Sequence, residues 1–297
     1  MSKSSPVQLV IGADGLLGGA LLRRLRMAGE SVAGTTRRRA NVSEQCLYLD
    51  LTDTACEWRA PWPVSVAYVC AGVNKLQVCK GDPEGTAKVN VEGVCSLAAG
   101  LAAAGAFVVL LSSNHVLDGS APRRAPDAPL SPLTEYGRQK AEVERRMAAC
   151  GASVAIVRFA KILGPGPSLF TGWADSLARG EAIHPFSDMS LAPVPLSFAV
   201  EALTRTATLR LSGVTQVSAA EELSYAEAAL AGARALNADP GLVQPVAAAK
   251  LGAYKEAIPP HTTLNIDRLG SALGLVPPAV RWTVETAFVN SQLLGDV

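Results

Sequence analysis

Tyr136 and Lys140 are the residues whose types and spacing most directly suggest chemistry. They lie four positions apart, so a helix over this stretch places both side chains on one face. A phenol is a poor acid or base near neutral pH because its ordinary pKa is about 10. A neighbouring ammonium group stabilises the phenolate, which makes the pair a candidate for proton transfer.

A hydroxyl group completes this candidate site. Leu111-Ser112-Ser113 ends an apolar run that predicts a strand, and the Ser113 hydroxyl would hold a substrate oxygen against Tyr136. Because Tyr-x-x-x-Lys occurs often by chance, the interpretation depends on this position after the strand. We predict that Ser113, Tyr136 and Lys140 move protons while a nicotinamide moves hydride. Ser112, Tyr136 and Lys140 are also predicted to contact the cofactor, Lys140 through the nicotinamide ribose.

A glycine-rich turn predicts the other end of the cofactor site. The sequence Gly12-Ala13-Asp14-Gly15-Leu16-Leu17-Gly18 lies between a strand-like run and a helical pattern. Such a turn lets backbone N–H groups approach a pyrophosphate, and the helix N-terminus favours its negative charge. The alternative is an ordinary tight turn. The predicted contacts are Gly12, Gly15, Leu16, Leu17 and Gly18.

The end of the second predicted strand distinguishes the two nicotinamide cofactors. An NAD site places Asp or Glu there to bind the ribose 2′-hydroxyl. The stretch over residues 32–39 has no acid and ends in Arg37-Arg38-Arg39. Guanidinium groups make bidentate contacts with phosphate, so Arg37 and Arg38 predict NADP(H) rather than NAD(H). A solvated basic loop is the alternative.

The elements that must position these residues alternate along the first 160 positions. Continuous apolar strands between helices are typical of a parallel sheet covered on both faces. The pattern predicts an α/β, doubly wound (Rossmann) fold with ligands at the carboxyl ends of the strands. The predicted strands cover residues 7–11, 31–35, 45–49, 66–70, 107–111 and 152–158, and the helices cover 16–28, 82–104 and 135–150.

The pattern changes after Arg158, where prolines interrupt the chain repeatedly. Residues 163–190 and about 219–297 are interpreted as a smaller C-terminal substrate-binding lobe. A helix near 196–211 and a strand near 214–217 would return to the sheet. The dinucleotide-binding domain would then comprise residues 1–162 and about 191–218.

Composition excludes several classes of partner. The chain has 297 residues, 49% apolar and 18% charged, with a net charge of +1. No clustered basic face suggests nucleic acid, and no run of about 20 apolar residues suggests a membrane span. The start at Met1 has no secretory segment, which predicts a cytoplasmic protein. Cysteine and histidine spacing predicts no metal site.

Together these residues resemble the extended short-chain dehydrogenase/reductase family. The resemblance covers nearly the whole chain, and it implies that Asp50 contacts adenine and that a dimer forms through sheet-covering helices. Capping and helix–helix hydrogen bonding are the alternative roles for Asp50 and Asn90. Besides the glycine turn and the Ser-Tyr-Lys trio, the matching residues are Asp50-Leu51, Ala71-Gly72 and Asn90, all implied as cofactor contacts.

A narrower resemblance is to dTDP-4-dehydrorhamnose reductases. It rests on residues 111–119, 132–137, 187–194 and 264–267, and it implies reduction of a ketone on a nucleotide-linked sugar. Asn114 and His115 replace an Asp and a Tyr of those reductases, and residues 159–164 also depart from their pattern. Another sugar or another carbonyl substrate therefore stays open. The candidate substrate-binding residues are Asn114, His115, Lys161 and Trp173, with packing or surface exposure as their alternative.

Two further functions stay open. An epimerase or dehydratase would hold its cofactor tightly, although Asn114 stands where a dehydratase needs a carboxylate base. Relatives of these reductases also include a non-catalytic nucleotide-binding subunit that regulates an S-adenosylmethionine-forming enzyme. The intact trio Ser113, Tyr136 and Lys140 argues against that role.

Overall fold

The computed structural model describes residues 7–52, 58–248 and 259–293, which form eleven β-strands and ten α-helices. The strands are β1 Val7–Ile11, β2 Val32–Thr36, β3 Cys46–Tyr48, β4 Val64–Val69, β5 Phe107–Ser113, β6 Val154–Phe159, β7 Ile162–Leu163, β8 Ser190–Leu191, β9 Val194–Pro195, β10 Gly213–Val217 and β11 Leu223–Ser224. The helices are α1 Leu16–Met27, α2 Leu76–Gly81, α3 Pro83–Ala87, α4 Val94–Ala103, α5 Glu135–Ala148, α6 Leu169–Ala178, α7 Leu196–Thr208, α8 Tyr225–Ala235, α9 Asp267–Leu273 and α10 Val280–Leu293.

Seven strands form one central sheet in the order β10-β6-β5-β4-β1-β2-β3, and every pairing in it is parallel. All six residues of β6 are buried, as expected for a strand covered on both faces. The predicted doubly wound α/β fold is therefore confirmed. The carboxyl ends of β1, β4, β5 and β6 meet at one edge, where such folds bind ligands.

Helices cover both faces of this sheet. On one face α1, α7 and α9 share a core with the strands, represented by Leu21, Leu203 and Leu269. On the other face α4 and α5 pack through residues such as Leu97 and Met147. Burial of these apolar faces against the sheet supplies most of the driving force for this arrangement.

A separate apolar cluster joins α6, α8 and α10, with Phe170, Ala229 and Phe288 fully buried in it. These three helices come from the segments predicted as a smaller lobe. Helix α9 lies in the same predicted segment but packs on the sheet, because Leu269 and Leu273 face the core that α1 and α7 share. Residues 249–258 and 294–297 of the predicted lobe lie outside the described residues.

The helix predicted over residues 82–104 is divided in the structure. Asp82 caps α3 by accepting a hydrogen bond from the Gly85 N–H at 2.9 Å, and a π-helical turn over Lys88–Gly93 separates α3 from α4. Such π-turns are frequent at functional sites. Helical periodicity in the sequence does not reveal this turn, nor the preceding short helix α2. Among the helices in the described ranges, none has the length and apolar character needed to cross a bilayer.

Candidate active site

The glycine turn connects β1 to α1 in a conformation that needs glycine. Gly12 has a φ of 86°, and a Cβ at Gly18 would lie 2.3 Å from the Gly12 carbonyl oxygen. Gly15 precedes α1 without any side-chain cap, so the first N–H groups of the helix have no side-chain acceptor. A tight turn with free donors at a helix N-terminus fits a pyrophosphate.

A cavity of about 500 Å³ opens beside this turn, which we call the glycine cavity. A second one of about 400 Å³, the histidine cavity, adjoins it, and the two share Asn74, Ser113, Tyr136 and Ala160. The predicted site residues that line the glycine cavity are Gly15, Leu16, Leu17, Gly18, Ala71, Gly72, Ser112, Ser113, Tyr136 and Lys140.

Tyr136 lies at the boundary between the two cavities, in the first turn of α5. The Thr134 hydroxyl caps that helix by accepting a hydrogen bond from the Gly137 N–H at 3.0 Å. Burial raises the pKa of Tyr136 to about 12, and a side-chain hydrogen bond with Ser113 acts in the opposite direction. The phenol is therefore protonated near neutral pH and available as a donor.

Lys140 lies one turn further along α5 and is buried. Its ammonium donates a hydrogen bond to the Leu111 carbonyl oxygen at 3.0 Å and lies 5.9 Å from the centre of the Tyr136 ring. Burial lowers the pKa of Lys140 to about 8, while the negative charge of Glu144 acts in the opposite direction. The structure thus brings Ser113, Tyr136 and Lys140 together, and their catalytic roles stay predictions.

A buried ion pair lies behind Lys140 and was not predicted. Arg158 on β6 binds Glu144 on α5 at 2.7 Å, with both side chains under 5% exposed. The Ser112 hydroxyl donates to Glu144 at 2.5 Å. Ser112, predicted as a cofactor contact, therefore borders the glycine cavity but directs its hydroxyl to this carboxylate. The spacing of Glu144, one turn beyond Lys140 on the same helix face, was the available signal.

Asn90 is fully buried in the π-helical turn and braces the loop after β4. Its amide oxygen accepts from the Val73 N–H at 2.7 Å, and its amide nitrogen donates to the Val73 carbonyl at 2.8 Å and to Gln139 at 2.8 Å. Every polar group of Asn90 is thereby occupied by protein. Asn90 thus holds Val73, the neighbour of Gly72, rather than lining the cavity, and a Cβ at Gly72 would lie 3.0 Å from the Asn90 amide oxygen.

The predicted adenine end is more open. Arg37 and Arg38 are exposed and follow β2, and neither lines the glycine cavity. Asp50 follows β3, and its carboxylate accepts from the N–H and the hydroxyl of Thr52, which lowers its pKa. The Leu51 side chain belongs to the core that faces α4. Leu51 can therefore contact a nucleotide only through its backbone.

Three of the four predicted substrate residues, Asn114, His115 and Lys161, line the histidine cavity. The His115 ring meets the Tyr136 ring edge to face, with 5.9 Å between the centroids. Burial, assisted by the charge of Lys161, lowers the pKa of His115 to about 4, so its imidazole is neutral near pH 7.

Trp173, the fourth predicted substrate residue, lines neither cavity. It packs edge to face against Phe170 and Tyr225, at 5.7 and 6.3 Å between ring centroids. An amphipathic helix packs one face on the protein, and Trp173 is partly buried where α6 packs on its apolar cluster. The structure therefore gives it the packing role instead.

Other cavity residues were missed because they come from distant parts of the chain. Tyr225 begins α8, and Thr262 lies in the loop before α9; both line the histidine cavity with Asn74 and Met189. The Ser224-x-x-Glu227 capping box predicts where α8 starts but not what its first residue faces. No group of three or more His, Cys, Asp or Glu within the described segments is arranged to hold a metal ion.

Comparison with known proteins places this geometry in context. The profile of the RmlD substrate binding domain matches residues 8–292. Methionine adenosyltransferase 2 subunit beta from Xenopus tropicalis is 30% identical over 158 residues, which is 52% of this chain and 47% of that protein. The match thus spans about half the length of that relative. The dTDP-4-dehydrorhamnose reductase of Mycolicibacterium smegmatis is 28% identical over 275 residues, covering 91% of this chain and 80% of the relative.

Solved structures share the fold. A dTDP-4-dehydrorhamnose reductase from Bacillus anthracis in complex with NADP has a TM-score of 0.84 at 19% identity, over 97% of this chain and 100% of that one. MoeE5 in complex with UDP-glucose and NAD has a TM-score of 0.82 at 22% identity, over 98% of this chain and 100% of that one. At these identities the likeness demonstrates a common architecture.

Proposed function

Since this chain belongs to the RmlD substrate binding domain family, we propose that it is an NADP(H)-dependent oxidoreductase that reduces a ketone on a nucleotide-linked sugar. The observation that carries the proposal is that Ser113 and Tyr136 line both the glycine and the histidine cavity, with Lys140 beside them in the glycine cavity. One cavity then takes the cofactor and the other takes the sugar.

The residues of the glycine cavity fit a dinucleotide. Gly15 and Gly18 leave the N-terminus of α1 open to a pyrophosphate, and Arg37 and Arg38 follow β2 where a ribose 2′-phosphate would bind. Lys140 would hydrogen-bond the nicotinamide ribose. When bound, the reduced nicotinamide supplies the hydride.

The protein's own groups supply the proton and the orientation. Tyr136 would donate its phenolic proton to the carbonyl oxygen of the substrate as that oxygen becomes an alkoxide. Ser113 would share the hydrogen bond to that oxygen, and the Lys140 ammonium would stabilise the phenolate that remains. Because these groups are fixed on β5 and α5, positioning and electrostatic preorganisation account for most of the acceleration.

The test is the Tyr136→Phe variant with NADPH and a panel of dTDP- and UDP-linked keto sugars. We expect NADPH consumption to fall by about 100-fold or more, because proton transfer by a positioned side chain contributes that much. Binding of NADPH, followed by its fluorescence, should stay near wild type. Tyr48→Phe, outside both cavities, is the matched control. Ketone reduction at the wild-type rate by Tyr136→Phe would disprove the assignment.

Epimerisation by the same site is distinguished by stoichiometry. A reductase consumes one NADPH for each product, whereas an epimerase returns its cofactor to the starting state. Asn114 lines the histidine cavity, and its amide cannot act as the base that a dehydratase needs. Purified protein that retains oxidised cofactor and turns over without net consumption would favour the epimerase.

A second candidate of another class is a nucleotide-binding regulatory subunit, which the similarity to methionine adenosyltransferase 2 subunit beta favours. The assembled Ser113, Tyr136 and Lys140 favour catalysis instead. Affinity purification at native abundance separates the two functions. Stable stoichiometric recovery of an S-adenosylmethionine-forming enzyme, together with no NADPH oxidation on the sugar panel, would support the regulatory role.

A further inference from the structure

Three charged side chains are buried within the described ranges, and they belong to one cluster. Lys140 is 7% exposed, Glu144 is 4% exposed and Arg158 is 3% exposed. Two cations therefore share one carboxylate inside the protein. A buried charge is unfavourable unless an opposite charge compensates it, so both cations depend on Glu144. Of the three side chains the proposed reaction uses Lys140 alone, which leaves the carboxylate to be explained.

The position of this carboxylate is fixed by two neighbours. The Arg158 guanidinium donates to both oxygens of Glu144, at 3.0, 3.1 and 2.7 Å, and the Ser112 hydroxyl donates to one of them at 2.5 Å. Arg158 is itself held by the Pro126 carbonyl at 2.9 Å and by the Gln216 amide oxygen at 3.2 Å. The carboxylate oxygens are thus occupied, so Glu144 acts on Lys140 through Ser112 and through its charge.

Two consecutive residues at the end of β5 connect the cluster to Lys140. The Leu111 carbonyl accepts a hydrogen bond from the Lys140 ammonium at 3.0 Å, and the next residue, Ser112, donates to Glu144. Lys140 and Glu144 lie one turn apart on α5, so this strand end and this helix are joined at two adjacent points. Loss of the second bond would free the strand end that carries both the Leu111 carbonyl and Ser113.

Charge provides the other connection. The negative charge of Glu144 has the largest charge effect on Lys140 and opposes the lowering of its pKa by burial. The other groups whose charge would act on Lys140 are thiols, namely Cys70 after β4, Cys79 on α2 and Cys95 on α4. Burial raises the pKa of all three thiols, and the pKa values of Tyr136 and His115 lie near 12 and 4. All these groups are neutral where Lys140 titrates, so none of them replaces the carboxylate.

We propose that Glu144 is a positioning residue of the active site, which keeps Lys140 in its charged form and, through Ser112, fixes the strand end whose carbonyl holds the ammonium. Glu144 lines neither cavity, so its effect on the reaction passes through Lys140. The inference rests on the proposed function in that it gives the ammonium a role in ketone reduction. Loss of the carboxylate should lower the pH at which Lys140 loses its proton.

The experiment follows the titration of Lys140 directly and needs no substrate. The full-length protein is labelled with ¹³C-lysine, and the Cε resonance of Lys140 is identified by its loss in Lys140→Met. NMR then gives the titration midpoint in wild type, Glu144→Gln and Glu142→Gln, since glutamine keeps the size of the side chain and removes its charge. Glu142 is the matched control, because it lies on the same helix, pairs with Arg145 and Arg146, and has a side chain that is 39% exposed.

We expect the wild-type midpoint near pH 8. Glu144→Gln should lower it by about 1 pH unit, because a nearby opposite charge stabilises a charged group by about that much. The single-turnover rate of ketone reduction at pH 8 should then fall about 5-fold, with a smaller change near pH 6, because a smaller fraction of the protein carries a protonated Lys140. Glu142→Gln should match wild type in both measurements.

Ser112→Ala tests the positioning effect without a change of charge. We expect it to keep the wild-type midpoint of Lys140, because the Glu144 carboxylate remains. The rate should be lower at every pH, because the strand end that holds the ammonium is less well fixed. A shifted midpoint combined with a wild-type rate near pH 6 would contradict the role of Ser112.

Two further variants distinguish this effect from a general loss of stability. Arg158→Leu also breaks the ion pair, but it leaves the carboxylate, so the midpoint of Lys140 should not fall. Glu144→Met/Arg158→Leu removes both charges and should lower the midpoint, because Glu144 has the larger charge effect on Lys140. The double variant also serves if Glu144→Gln does not fold, since an apolar pair often replaces a buried ion pair well.

The proposal is overturned if the midpoint of Lys140 stays at the wild-type value without the carboxylate, or if Arg158→Leu lowers it equally. The titration also separates this proposal from the proposed function. If the midpoint depends on Glu144 but no keto sugar is reduced, the proposed reaction fails and the coupling of the two charges stands. If ketones are reduced and the midpoint is independent of Glu144, the reaction stands and Glu144 is not a positioning residue.

Discussion

The Asp14 carboxylate accepts a hydrogen bond from the Thr36 hydroxyl, which joins the glycine turn to the end of β2. The Asn41 amide donates to the other carboxylate oxygen at 2.9 Å. Burial acts in the opposite direction, but these bonds and the charges of Arg38 and Arg37 lower the pKa of Asp14. The end of β2 has no acidic residue of its own, but Asp14 from the turn between β1 and α1 places a carboxylate there.

This relationship predicts that Asp14 and Arg37 have opposite effects on cofactor choice. A carboxylate at this point repels a 2′-phosphate, whereas a guanidinium attracts it. Removing one exposed charge at about 1 kcal/mol changes affinity roughly 5-fold. We therefore expect Asp14→Asn to raise the NADPH/NADH affinity ratio by about that factor and Arg37→Gln to lower it. Fluorescence titration with both reduced cofactors measures the ratio.

Asp175→Asn is the control for this experiment, because Asp175 is exposed on α6 and lines neither cavity. Its cofactor ratio should equal that of wild type. An unchanged ratio in Asp14→Asn would show that Asp14 does not reach the ribose. If wild type prefers NADH and Arg37→Gln shows the same preference, the assignment of NADP(H) is contradicted.

The Glu144–Arg158 pair predicts a large loss of stability on removal of one partner. Arg158 also donates to the Pro126 carbonyl at 2.9 Å and to Gln216 at 3.2 Å, so its guanidinium is enclosed by acceptors. Arg158→Leu leaves the buried Glu144 carboxylate without its cation. We expect the free energy of unfolding in urea to fall by about 3–5 kcal/mol.

Two controls define the origin of that loss. The double variant Glu144→Met/Arg158→Leu removes both charges and should regain most of the stability, because apolar pairs of similar volume often replace buried ion pairs well. Arg179→Leu breaks the exposed pair with Glu181, both more than half exposed, and should leave the unfolding midpoint near wild type. Equal losses in the single and double variants would argue against a charge effect.

Local patterns in the sequence were sufficient for the fold and for the central trio. The glycine turn, the apolar strands and the Tyr136–Lys140 spacing depend on neighbours within a few residues, and the structure places them together. Pairings set by tertiary packing were not visible. The Thr36 hydroxyl bonds to Asp14 from the end of a neighbouring strand, and Lys161 and Thr262 line one cavity although they are about 100 residues apart in the chain. Tertiary packing also explains why Trp173 contacts Phe170 and Tyr225 instead of lining the cavity as predicted.

Gly18 provides a test of the glycine turn. A Cβ added at Gly18 would lie 2.3 Å from the Gly12 carbonyl oxygen. The backbone of the turn would have to move to relieve this contact. We expect Gly18→Ala to weaken binding of either dinucleotide by about 10-fold or more, and to lower stability by about 1–3 kcal/mol as other overpacked variants do. Binding is measured by NADPH fluorescence and stability by urea unfolding.

Gly100→Ala is the matched control on α4. Nothing lies within 4 Å of a Cβ there, and the position is exposed and helical. We expect it to raise stability by about 0.5–1 kcal/mol because alanine favours the helix. Cofactor affinity should not change. Undiminished binding in Gly18→Ala would mean that the turn does not hold the pyrophosphate.

Lys140 predicts the pH dependence of catalysis. Its pKa is lowered to about 8 by burial, so the ammonium that is proposed to stabilise the Tyr136 phenolate is present below pH 8 and lost above it. The pKa of Tyr136 near 12 and of His115 near 4 lie outside this range. We expect the single-turnover rate of ketone reduction to fall between pH 8 and pH 9 in wild type.

The effect of Lys140 on stability has the opposite pH dependence to its expected effect on the rate, so the two effects can be measured separately. The folded-state pKa of about 8 lies below the ordinary value of 10.5, so the unfolded chain binds more protons between these values. Lys140 therefore makes the free energy of unfolding rise with pH across that range. Lys140→Met should lack both trends and retain a low, pH-independent rate. If its rate still falls near pH 8, a group other than Lys140 sets the profile.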